Sequence, residues 1–304
     1  MQTTEPINPP EDQDTPQGLA FALTAYLLWG VLPLYMKLLA HIPPAEVVVH
    51  RVLWSVPIAA LVLILLKRTA DLRQALRTPS MLLMGCVTAA LVSVNWGIYV
   101  WAIASDRALD AALGYYINPL FSIFLAAVFL KERMNTAQLV AVTLAAAAVL
   151  ILTLEAGEVP WVALALTVSW GFYALAKKSL PIGPNQAFML EVLILTPPAL
   201  AYLAFLTLGG QSHFSTDLDY NTWLLLGCGL ATAIPLLSYA NGAKRLRLST
   251  IGILQYTVPT MIFLIAVFVF EEPLGRARMI AFPLIWAALI LYTVSMLRGM
   301  RRVS

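Results

Sequence analysis

The sequence predicts an all-α integral membrane protein of ten transmembrane helices, arranged as two inverted five-helix repeats. Three observations carry this: the composition, the spacing of apolar runs, and an internal echo at a nearly constant offset. Hydrophobic residues make up 60% of the 304 positions and charged residues only 12%, whereas roughly a quarter of the residues of an average soluble domain are charged. Mean hydropathy is +0.81. A spanning helix needs about 20 apolar residues, so this length holds ten spans only if loops are short and no soluble domain is added.

Residues 1–18 hold Glu5, Glu11, Asp12, Asp14 and four prolines but no Lys or Arg. That is unlike the positively charged start of a secretory signal and reads as a disordered tail. Apolar runs separated by polar punctuation then give spans at 19–39, 45–66, 80–103, 110–130 and 136–154, and at 159–177, 185–208, 221–243, 249–270 and 279–297. The repeats are 19–154 and 159–297, and a basic tail covers 298–304.

With both termini in the cytoplasm, Lys67, Arg68, Arg73, Arg77, Lys131, Arg133, Lys177, Lys178, Lys244, Arg245, Arg247, Arg298, Arg301 and Arg302 fall on that side, 14 of the 19 basic residues. Only Lys37, Arg107, Arg276 and Arg278 fall on the other, and Arg51 is buried. The asymmetry sets this orientation.

The halves echo each other. Trp29, Gly30 and Lys37 recur as Trp170, Gly171 and Lys178 at offset 141, Pro57 as Pro197 at 140, and Gly85 and Cys86 as Gly227 and Cys228 at 142. Tyr116, Pro119, Ala126 and Glu132 recur as Tyr256, Pro259, Ala266 and Glu272 at 140. Five spans per half is an odd number, so the second half enters from the opposite face. Inverted repeats are the usual basis of alternating access, with the substrate between the halves.

Arg51 and Glu191, also 140 apart, put charge inside two apolar spans. Each costs about 2.5 to 3.5 kcal/mol at a helix centre on insertion scales, so both are candidates for gating or substrate contact, and a pseudo-twofold axis is expected to bring them toward one another. The plainer reading is a fixed structural pair, or Arg51 reaching the interface beside Glu46 and His50. Burial raises a carboxyl pKa, so Glu191 is also a candidate proton site.

Trp29, His50, Asn95, Tyr99, Tyr116, Asn118, Asn241, Gln255 and Tyr256 complete the expected substrate path, with Trp96, Tyr115 and Tyr239 as further polar aromatic candidates. Asn and Tyr equally serve as packing glue between membrane helices. The repeat-matched Pro57/Pro197 and Pro119/Pro259 are the hinge candidates, because proline removes an amide donor and interrupts a helix. Ala137, Ala141 and Ala145 form a close-packing face on the fifth span, suited to a rigid support or to a homodimer contact.

Several strings resemble the RarD-type branch of the EamA family in the drug/metabolite transporter superfamily. They are AYLLWGVLPLYMKLL (25–39), HRVLWS (50–55), NWGIYVWA (95–102), LGYYINPLFSIFLAAVFLKERM (113–134) and ILQYTVPTMIFLIAVFVFEEPL (253–274). The resemblance runs from about 18 to 298. It implies ten helices in two inverted repeats, a central cavity built from the first four helices of each, a bacterial inner-membrane location, and transport of a small metabolite or drug-like molecule, with export favoured.

Other classes fit poorly. The net charge of +3 is scattered between apolar runs and points to no nucleic-acid partner. Cys86 and Cys228 sit in apolar runs as packing residues, and His41, His50 and His213 lack metal-ligand spacing, so neither metal nor cofactor is expected. No serine occupies a G-x-S-x-G turn and Glu191 is the only acidic residue deep in a span, which argues against an enzyme. A receptor or assembly subunit without transport is the remaining alternative.

Overall fold

Proline at the first helical position marks where several long helices begin, since its missing amide has no partner there in any case. The computed structural model describes residues 15–129, 134–157, 159–178, 180–243, 245–246, 250–251 and 254–300. Its helices are α1 (Pro16–Leu38), α2 (Pro44–Leu65), α3 (Thr69–Arg77), α4 (Pro79–Ala104), α5 (Ala108–Phe129), α6 (Thr136–Ala156), α7 (Trp161–Lys178), α8 (Pro184–Leu208), α9 (Tyr220–Ala243), α10 (Thr257–Phe268) and α11 (Arg276–Met300). The described residues contain no strand. Eight of these helices are long and apolar enough to cross a membrane, while Trp161–Lys177 and Thr257–Phe268 are shorter apolar helices.

Two expected boundaries shift. Residues 16–18 are helical rather than part of a tail, because the Thr15 side chain accepts from the Gly18 amide and Pro16 starts the turn. At the other end α11 continues to Met300, past the expected start of a tail at 298. The rest of the expected amino-terminal tail (1–14) and residues 301–304, with Lys131, Glu132, Arg133, Lys244, Arg247, Arg301 and Arg302, lie outside the described residues, as do 249, 252 and 253 of the ninth span.

The helices run through most of the prolines expected to interrupt them. Pro57 lies inside α2, Pro119 inside α5 and Pro197 inside α8. In a membrane helix neighbouring helices offset the one lost hydrogen bond. Pro259 is in the first turn of α10, where amides have no intrahelical partner.

Packing crosses between the two halves of the chain. α1 packs on α9 and α10, and α7 packs on α4 and α5. α2 meets α9 as α8 meets α4, while α2 meets α8, α5 meets α10 and α6 meets α11. Gly229 lets α9 lie against the backbone of Trp54 in α2, a space that a methyl group would fill. The small-residue face of α6 is used within the chain: Ala141, Ala145 and Ala148 are buried, as are Ala281, Ile285 and Ala288 on α11.

Candidate functional site

Where these helices converge they leave a cavity of about 600 Å³. It runs from the α7–α8 connection, at Lys177, Leu180 and Asn185, to Arg51, Tyr99 and Tyr115. Arg51 is the seventh residue after Pro44 and Glu191 the seventh after Pro184, so each lies about 10 Å along its helix. They do not pair. Arg51 bonds Thr232 and Glu191 pairs with Lys177, so equal spacing from a helix start does not bring the two charges together.

Arg51 is 4% exposed and its Nε donates to Thr232 Oγ1 at 3.0 Å. Its guanidinium lies 4.7 Å from the centre of the Trp96 ring, a cation–π contact. Among the described residues no carboxylate lies in ion-pair range of it, and its Nη1 has no hydrogen-bond partner.

Glu191 is held at the other end. Lys177 Nζ and Tyr173 Oη each donate to its Oε2 at 3.1 Å, and Lys177 also contacts the Tyr173 hydroxyl. Glu191 itself is 1% exposed and stands behind the cavity wall, whereas Tyr173 and Lys177 line it.

Of the other expected path residues, Trp29, Asn95, Asn118 and Gln255 join Arg51 and Tyr99 on the lining, together with Trp96, Tyr115 and Tyr239. Asn95 also ties α4 to α7, donating to Leu166 O at 3.1 Å and Ser169 Oγ at 2.9 Å. His50, Tyr116, Asn241 and Tyr256 are not on the lining. His50 accepts from Trp54 Nε1 at 3.0 Å and stacks on Phe214, and Tyr116 bonds Thr260 and meets Phe282 and Trp286 edge-on. Asn241 donates to Leu237 O one turn earlier, and Tyr256 stands at the start of α10 with no capping hydrogen bond from its side chain. Tyr26, Trp170, Tyr173, Lys177, Asn185 and Thr232 line the cavity without having been singled out for it. Trp170 was findable as the repeat equivalent of Trp29.

The end beyond Arg51 is closed by polar ties. Glu272 accepts from the Ala108 and Leu109 amides at 2.6 and 2.9 Å, capping α5 with both oxygens. Asp110 accepts from Arg107 at 2.8 Å and from Arg278 at 2.9 Å, and Lys37 pairs with Asp106. The buried Glu46 carboxylate accepts from the His213 amide at 2.7 Å and contacts the His213 ring at 2.8 Å, fastening the α8–α9 connection to α2. Among the described residues no group of His, Cys, Asp or Glu is arranged to hold a metal.

Apolar helices of membrane length around a cavity that is closed at one end define a multi-pass membrane protein. The model of the EamA-like transporter family matches residues 16–154 and again 159–294. The chain belongs to that family. It is 40% identical to the uncharacterized transporter YojE of Bacillus subtilis (strain 168), over 95% of this chain and 97% of that one. It is 36% identical to the protein RarD of Escherichia coli (strain K12), over 96% and 99%, and 31% identical to the chloramphenicol-sensitive protein RarD of Pseudomonas aeruginosa, over 90% and 93%. A solved crystal structure, 20% identical, aligns with a TM-score of 0.59 over 91% of this chain and 97% of its own. That likeness concerns the fold alone.

Proposed function

We propose that this protein is a secondary transporter of the bacterial inner membrane, with ten spans in two inverted repeats, that exports a small metabolite or drug-like molecule by alternating access. The observation that carries this is a cavity framed by helices of both halves, lined at one end and tied shut at the other. Exchanging the halves maps α1 on α9 to α7 on α4, and α2 on α9 to α8 on α4. The family model matching twice supports the same duplication.

Basic residues support cytoplasmic termini. In that orientation Lys177, Asn185 and the cavity mouth face the cytoplasm, which is the loading state of an exporter. The test is flux. Purified protein in liposomes is expected to exchange labelled solute from a panel of amino acids, amines, organic acids and amphenicol drugs; a panel without one exchanged solute would leave a receptor or assembly subunit as the reading.

Proton coupling, in this proposal, works through the cluster of Glu191, Lys177 and Tyr173 rather than through Arg51. Protonating Glu191 releases Lys177 toward the cavity. The Glu191→Gln variant is expected to transport at a rate independent of an imposed proton gradient, and unchanged gradient dependence in vesicles would rule the role out.

A further inference from the structure

We propose that the base of the cavity binds the carboxylate of a small organic monoanion, with Arg51 as its counterion. The inference rests on the transporter reading and deepens it by assigning the chemical class of the cargo. Arg51 lines the cavity as a buried cation that uses one hydrogen bond to Thr232 and one aromatic face, and its buried Nη1 has no hydrogen-bond partner. A buried charge without a counterion is costly, and its partner must come either from the protein or from a ligand. Among the described residues the protein supplies none.

The surroundings suit the same headgroup. Tyr99 is 3% exposed and Asn118 is 8% exposed, both residues line the cavity, and each has a buried polar atom without a partner, the Tyr99 hydroxyl and Asn118 Oδ1. Tyr115 stands beside Tyr99, with ring centroids 5.9 Å apart, and both tyrosines lie within electrostatic range of the guanidinium. A guanidinium fork with a neighbouring hydroxyl donor matches the planar, two-oxygen geometry of a carboxylate.

Charge counting fixes the valence. While Glu191 is ionised it neutralises the other cation on the lining, Lys177, so in this paired state the described lining has one positive charge to offer. A monoanion balances it. A phosphate dianion leaves one negative charge buried, and an amine brings a second cation to Arg51. Elsewhere on the lining Trp29, Trp170, Leu236, Val258 and Ile262 form aromatic and aliphatic walls, which suit a flat or apolar body behind the carboxylate.

Two matched sets of probes test this: 3-phenylpropanoate with its amide and the corresponding amine, and indole-3-acetate with indole-3-acetamide and tryptamine. Thermal stabilisation of the detergent-solubilised protein and counterflow in liposomes are the readouts. The acids are expected to bind about tenfold or more tighter than their amides, the amines weakest. Arg51→Met is expected to erase the preference for acid over amide, and Arg51→Lys to keep part of it. Should the Met variant fail to fold, Thr232→Val, which frees the guanidinium from its one orienting bond, must weaken the acids and spare the amides.

Equal or tighter binding of amides or amines, or no stabilisation by either acid, overturns the proposal. Acid binding without counterflow would leave the anion site standing while removing the transport reading. Flux that does not prefer acids would do the reverse.

Discussion

Lys177→Met is expected to lower the apparent stability of the purified protein by about 3 to 5 kcal/mol, the range found when one partner of a buried ion pair is removed. The Glu191 carboxylate is 1% exposed, and its Oε2 takes both of its hydrogen bonds while Oε1 has none. Without the lysine only the neutral Tyr173 hydroxyl faces it. The carboxylate then stays buried and unpaired or takes up a proton, and either outcome costs. Glu191→Gln strands a different group, because Lys177 is 22% exposed and lines the cavity, where water can solvate it. Its loss should be smaller, about 1 to 3 kcal/mol.

Removing both charges with Lys177→Met and Glu191→Leu should recover most of the stability, since a buried pair is weak net support next to an apolar one of similar volume. Thermal unfolding of the four proteins in one detergent decides it. A Lys177→Met variant melting with the wild type would mean that the pair does not hold α7 to α8.

These two charges also mark where sequence reasoning reached and where it stopped. Both are legible as polar residues in apolar runs, and the start of α8 is legible from Pro184. What was not legible is which partner each would find. Lys177 has the position of a lysine that sets membrane orientation, and nothing in its spacing separates that use from pairing with a glutamate on the next helix.

The repeat pattern misdirects in a similar way. It favours Tyr116 and Tyr256, which match at offset 140, yet one residue along a helix turns the side chain by about 100°. Tyr115 therefore lines the cavity while Tyr116 packs against Phe282 and Trp286; Gln255 and Tyr256 sit in the turn before α10, and of these two Gln255 is on the lining. Symmetry in sequence preserves packing positions as readily as binding positions.

α3 is a further miss with a physical cause. Its nine residues, with Asp71, Arg73 and Arg77, fall between the spans expected at 45–66 and 80–103, but the buried Ala75 clusters with Leu180, Ala187 and Leu190, and Asp71 accepts from Gln186 Nε2 at 3.1 Å. A short surface helix is fixed by tertiary contact more than by its own propensity.

Glu272→Gln is expected to loosen the closed end of the cavity. Glu272 is 5% exposed and satisfies two amides at the start of α5 that have no partner within the helix. A glutamine offers one acceptor oxygen, no charge for the positive end of the helix, and an amide group that opposes a backbone N–H. A loss of about 2 kcal/mol, within the range for a hydrogen bond to a charged group, shifts the ratio of closed to open forms by about thirtyfold. The readout is a cysteine at Leu113, which is 1% exposed in the cluster beyond Arg51, placed in a background of Cys86→Ser and Cys228→Ala. A membrane-impermeant maleimide added from the side of Glu272 should label it faster in the Glu272→Gln variant, and equal labelling would show that the cap does not hold the end shut.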